Sequence, residues 1–172
     1  MNEALMYAKY NQDGNKIIYG ILSEMLNEER EKNRDSFYGS LSGIFRHVLD
    51  GTLFFLGLFK PVLADNEKAL KAISSLPTLT EGPLTEAQWE ALGKTMETVD
   101  AAYINMAEAL NEADLKLPIK LDWYGGNPDS VPLSFMLSQL VVHNIHHRGQ
   151  ISQVLDSLKI ENDFSGIDVA FL

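Results

Sequence analysis

The chain has 172 residues, 45% of them hydrophobic and 22% charged, as expected of one globular domain with its own core. Fourteen Lys and Arg stand against 24 Asp and Glu, a net charge of −10 that speaks against a nucleic-acid phosphate backbone as partner. There is no cysteine, which excludes a disulfide framework, a thiolate metal site and a cysteine nucleophile.

The N-terminus has no basic start followed by an apolar run, so no signal peptide is expected. No run of 18 apolar residues occurs, no membrane partner is expected, and the cytoplasm is the expected compartment.

In chain order, apolar residues recur at helical spacing from residue 3 to 26: Ala4, Leu5, Ala8, Ile17, Ile18, Ile21, Leu22 and Met25. "NQDGN" interrupts that pattern, and Gly14 in a helix interior costs roughly 1 kcal/mol against Ala. A helix with a local irregularity at Gly14 is therefore expected. "NEEREKNRDS" reads as a polar connection. A second helix is expected from Ser40 to Phe59, with Pro61 just past its end.

Residues 60–84 are mixed, and "SSLPTLTEGP" is rich in turn formers. Thr85, followed by early acids, caps a third helix expected to reach Ala113. Residues 115–124 alternate apolar and polar, as a short strand does, with "GGNPDS" as the turn after it. A short hairpin before the last helix fits this stretch. The fourth helix is expected from Ser130 to Leu158, with Pro132 in its first turn. Four long helices make an all-α bundle, and the long connection between the second and third allows a crossover.

Three of the four histidines fall in "VVHNIHHRGQ", residues 141–150. At about 100° per residue, His143 and His147 share a stripe with Met136, Leu140 and Ile151, while His146 points about 100° away. His47 shares a stripe with Ile44, Val48, Phe55 and Leu58 on the second helix. Two inward histidines one turn apart and a third from another helix form a good ligand set for Zn²⁺, Ni²⁺ or Fe²⁺, with a coordination position left open. The same histidines can equally be core residues satisfied by hydrogen bonds.

"HNIHHRGQ" resembles the H-x-x-H-H-R-G-Q signature on the last core helix of the DinB/YfiT-like family. "RHVLDGTLFFLGLF" is similar to that family's second-helix motif. "YNQDGN" matches its first-helix pattern, except that Asp13 and Gly14 stand where Trp and Ala are usual. The resemblance implies a four-helix bundle of crossed-over topology, a homodimer, and a divalent metal on His47, His143 and His147. Zinc or nickel comes first for that metal, then iron or manganese.

It also brings in thiol-dependent S-transferases as relatives. The expected function is then a metal-dependent enzyme, a hydrolase or a low-molecular-weight-thiol S-transferase acting on a small molecule. With no cysteine in the chain, the thiol has to come from the substrate. A non-catalytic, dimeric metal-binding stress protein is the alternative.

Asp50, one turn after His47, is the candidate acid–base residue, either orienting an imidazole or serving as a base. Gln150 sits at the edge of the histidine stripe, facing either substrate or packing. Arg148 points away from the pair and is expected in a salt bridge or an interface. Gly149 suggests close approach of another backbone. Tyr7 and Asn11 are expected on the inner side of the first helix. Trp89, Met96 and Met106 are expected in the core.

Overall fold

A computed structural model describes residues 2–123 and 125–171. Six α-helices and one two-stranded antiparallel sheet form in the order α1 (Glu3–Ser23), α2 (Asn27–Arg30), α3 (Leu41–Phe59), α4 (Glu67–Ile73), α5 (Glu86–Ala109), β1 (Pro118–Lys120), β2 (Ser130–Pro132) and α6 (Leu133–Ser157). The four long helices are those the apolar periodicity marks, so the chain is an all-α bundle.

Capping side chains set the starts. Asn2 accepts from Leu5 N, Ser40 from Gly43 N, and Thr85 forms a reciprocal capping box with Gln88.

Several boundaries differ from expectation. α1 ends at Ser23, and the polar connection after it contains the short α2, whose Arg30 is fully buried over the face of Trp89. α4 lies in the stretch left unassigned, and is too short for its Ala69 and Ile73 to reveal a period. α5 stops at Ala109. The hairpin forms, but with strands of three residues, and residue 124, the expected strand end, lies outside the described residues. α6 begins at Leu133 because Ser130–Pro132 pairs with β1 instead of opening the helix. Gly14 causes no break in α1.

α3 packs chiefly on α6 and α5, and α1 on α5 and α6. The consecutive long helices α1 and α3 are thus not principal neighbours, as a crossed-over bundle requires. α3 is long and apolar enough to cross a membrane by length and composition, but 56% of that window is buried in the bundle, and the helix carries Arg46, His47 and Asp50.

The core is divided. One apolar cluster gathers Ala4 and Ala8 of α1, Leu56 and Phe59 of α3, Tyr103 of α5 and Leu140 of α6. The other gathers Ile18, Phe45, Trp89 and Ile151, again drawing on every long helix. Between them along all four helices lies a band of buried polar residues: Asn11 and Asn15, Thr52, Asp100, and Asn144 with Arg148. His147 belongs to this band, and the half-buried His47 and His143 lie at its edge.

Candidate metal centre

The i, i+4 spacing on α6 places His143 and His147 one turn apart, and α3, packed against α6, brings His47 to them. One ring nitrogen from each lies within 4.8 Å of the other two. Nε2 of His47 is 3.1 Å from Nε2 of His143. An ion holding two imidazoles at 2.0–2.1 Å in tetrahedral geometry sets their nitrogens about 3.4 Å apart, close to the His47–His143 separation. The arrangement is compatible with a metal-binding site, and His146 is outside it.

The outer nitrogens are held. Nδ1 of His143 meets Oδ1 of Asn144 at 3.0 Å, and Nδ1 of His147 meets Oε1 of Gln150 at 2.8 Å. An amide oxygen only accepts, so each Nδ1 donates its proton and each ring turns its Nε2 to the centre. Gln150 therefore orients the His147 ring. Its Nε2 also makes a weak 3.5 Å contact with Nε2 of His146.

Burial first, then the neighbouring His147, His143 and Arg46, pushes His47 down from 6.5 to about 4. Burial likewise lowers His147, against a raising effect of Gln150. Both stay neutral at pH 7, the form that binds metal.

Tyr38 was not singled out by the sequence, because it lies in a polar connection without a period. Its ring stacks on His47 with centroids 3.9 Å apart, and its hydroxyl is 2.7 Å from Nε2. The hydroxyl is thus hydrogen-bonded to the same ring nitrogen that faces His143. Burial raises the phenol. Gly43 allows this, since a Cβ there would collide with the Tyr38 carbonyl.

Gly51 was also passed over. A Cβ there would stand 2.6 Å from Nδ1 of His143. The glycine one turn after His47 is thus the space that His143 fills.

Asp50 is exposed and lines the cavity beside the centre with His47 and His143. Among the described residues it makes no hydrogen bond to a histidine, and Asn144 and Gln150 take the orienting role. Partial burial raises its carboxyl, countered by Arg46. Tyr7 is half-buried and lines neither this cavity nor the one next to it.

Arg148 does point away from the metal pair, but into the bundle and not to a salt bridge: it is 2% exposed. Its Nη2 donates to the carbonyl and Oδ1 of Asn11 and to Oδ1 of Asn15. Both asparagines donate through Nδ2 to Oδ1 of Asp100. The close approach expected at Gly149 is absent, with nothing within 4 Å of its Cβ position. It occurs at Gly14, where a Cβ would lie 2.8 Å from Nη1 of Arg148. Trp89, Met96 and Met106 are core residues as expected.

The model of the DinB family matches residues 1–158, and the chain belongs to that family. No curated protein and no solved structure matches the chain.

Proposed function

We propose that this DinB family chain binds one divalent metal ion on His47, His143 and His147 and uses it enzymatically on a small molecule, as a hydrolase or a thiol S-transferase. The convergence of three imidazoles, two of them oriented by amide oxygens, carries the metal reading. When bound, the ion would lower the pKa of a coordinated water or substrate thiol and so supply a nucleophile near neutral pH.

An open cavity of about 390 Å³ beside His47 and His143 favours catalysis over storage. Asp50, on its wall, is placed to take a proton from a group held there. With no cysteine in the chain, the thiol of a transfer reaction comes from the substrate. Zinc or nickel suits three imidazoles, and iron or manganese is not excluded by them.

The test is the metal content of protein purified without an affinity tag, beside a His143→Ala, His147→Ala double variant. About one equivalent in the wild type and none in the variant supports the reading. Protein that takes up neither zinc nor nickel overturns it. Metal with no turnover of thiols or esters leaves the non-catalytic binding protein.

A further inference from the structure

Three large aromatic side chains stand about half exposed: Phe54 on α3, Trp123 in the hairpin loop and Phe135 on α6. They are not scattered. All three line one cleft of about 490 Å³, with Phe55, Val131 and Met136 in its wall. Phe54 meets Phe55 and Trp123 edge to face, at 5.5 and 6.0 Å between centroids.

A cleft of this size, apolar with few polar groups, has the dimensions of a small-molecule site. Among the described residues Gln139 is its one polar lining residue. Phe54 and Phe55 also wall the cavity that holds His47, Asp50, Gly51 and His143. The two hollows therefore adjoin across the same pair of rings. Among the described residues no Lys or Arg lines either of them, and Asp50 is their one charged residue.

On the premise that the histidines hold a metal as proposed above, we infer that the cleft seats the uncharged aromatic or branched apolar body of the substrate. The head group of that substrate, a thiol, hydroxyl or carbonyl, reaches the centre past Phe54 and Phe55. An anionic body would find no counter-charge in the cleft, and a small hydrophilic substrate would leave the rings in water. The adjoining histidine cavity is what favours a small molecule over a second copy of the chain as the occupant.

The probes are acetohydroxamic, benzohydroxamic and 3-phenylpropanohydroxamic acid, which share a metal-binding head and differ in apolar body. They are titrated into zinc-loaded protein by calorimetry and by tryptophan emission. Trp89, 2% exposed in the opposite core cluster, is a silent background to Trp123. Zinc content is measured first, so that failure of the metal reading shows separately.

Affinity is expected to rise at least ~10-fold from the methyl to the phenylpropyl compound, with a blue shift of Trp123. A Val131→Thr, Phe135→Ser double variant, at residues that line the cleft but not the histidine cavity, should lose that gain while keeping its zinc and its affinity for acetohydroxamic acid. A Val142→Ser control, exposed elsewhere on α6, should keep the gain. In zinc-free protein the phenylpropyl compound should bind weakly and still shift Trp123.

Equal affinities across the series on zinc-loaded protein would overturn the apolar seat and leave the metal site standing. A double variant that turns a dimer into a monomer in light scattering, with the tail series unchanged, would give the rings to a contact between copies and overturn it as well.

Discussion

Gly51→Ala separates the metal centre from the fold that carries it. The added Cβ would collide with Cε1 of His143 and stand 2.6 Å from its Nδ1, so the overlap is at least about 0.8 Å measured against the 3.4 Å at which ordinary contact begins. Metal–ligand distances tolerate about ±0.2 Å, so the ring must retreat about four times further than a bond to the ion allows. Loss of one of three ligands is expected to weaken affinity at least ~100-fold, the upper end of what lost outer-shell support costs.

The helix itself should gain, because Ala is better than Gly in a helix interior by about 0.5–1 kcal/mol. At a free zinc concentration 100 times the wild-type Kd, binding stabilises the wild type by about 2.7 kcal/mol, or roughly 5–10 °C in Tm for a chain of this size. At the same concentration the variant would gain about 0.4 kcal/mol, close to 1 °C. Thermal unfolding of both proteins with zinc and with a chelator reads this directly. A variant that kept the full zinc-dependent rise would show that His143 is not held as a ligand against Gly51.

Asn144→Ala and Gln150→Ala each remove the acceptor on a ligand Nδ1 and should weaken zinc binding ~10–100-fold by calorimetry. Asn144→Ala should also cost about 1–3 kcal/mol in urea unfolding, because its amide donates to the buried Asn11 and Thr52, whereas Gln150→Ala should cost little. Gly14→Ala should lower stability by about 1–3 kcal/mol despite the better helix former, since its Cβ would press on the buried Arg148; a higher urea midpoint would show that the guanidinium moves aside freely.

Two groups set opposing pH slopes in metal-free protein. Burial raises Asp100 from 3.8 to about 7, so the folded state holds a proton the unfolded chain has released, and this contribution falls as pH rises from about 4 to 7. His47, lowered from 6.5 to about 4, adds stability that is lost as pH falls through that same window. Urea midpoints of Asp100→Asn in chelator should therefore climb more steeply with pH than those of the wild type.

The cluster of three histidines was legible in the sequence because it follows from one helix period. His143 and His147 are four apart on an apolar stripe, and His47 shares a stripe with Ile44 and Val48. What the sequence hides is which helix faces which. Gly51 matters only because α6 lies across it, and Gly14 only because Arg148 reaches α1 from α6. A glycine in a helix announces some close approach, but not its partner, and Gly149 shows that it need not have one. Tyr38 reaches His47 from an irregular connection, where no period marks which side chains turn inward. Asn11, Asn15 and Asp100 read as ordinary polar positions, because a buried hydrogen-bond network across helices has no periodic signature.

That network gives the site its direction. Asn and Gln side chains have no intrinsic preference for which way their amides turn, but a guanidinium can only donate, and Oδ1 of Asp100 accepts from both asparagines. Asn11 lies between Arg148 and Asp100, so its Nδ2 faces the carboxyl and its Oδ1 the guanidinium. Asn144 then has to donate its Nδ2 to that same Oδ1, at 2.7 Å, which turns its own oxygen to Nδ1 of His143. The His143 proton is thereby fixed on the outer nitrogen, and the lone pair faces His47. The arginine of "HHRGQ" thus serves the histidine five residues before it by way of another helix. This accounts for a costly buried guanidinium in a bundle whose two apolar clusters hold the ends together without it.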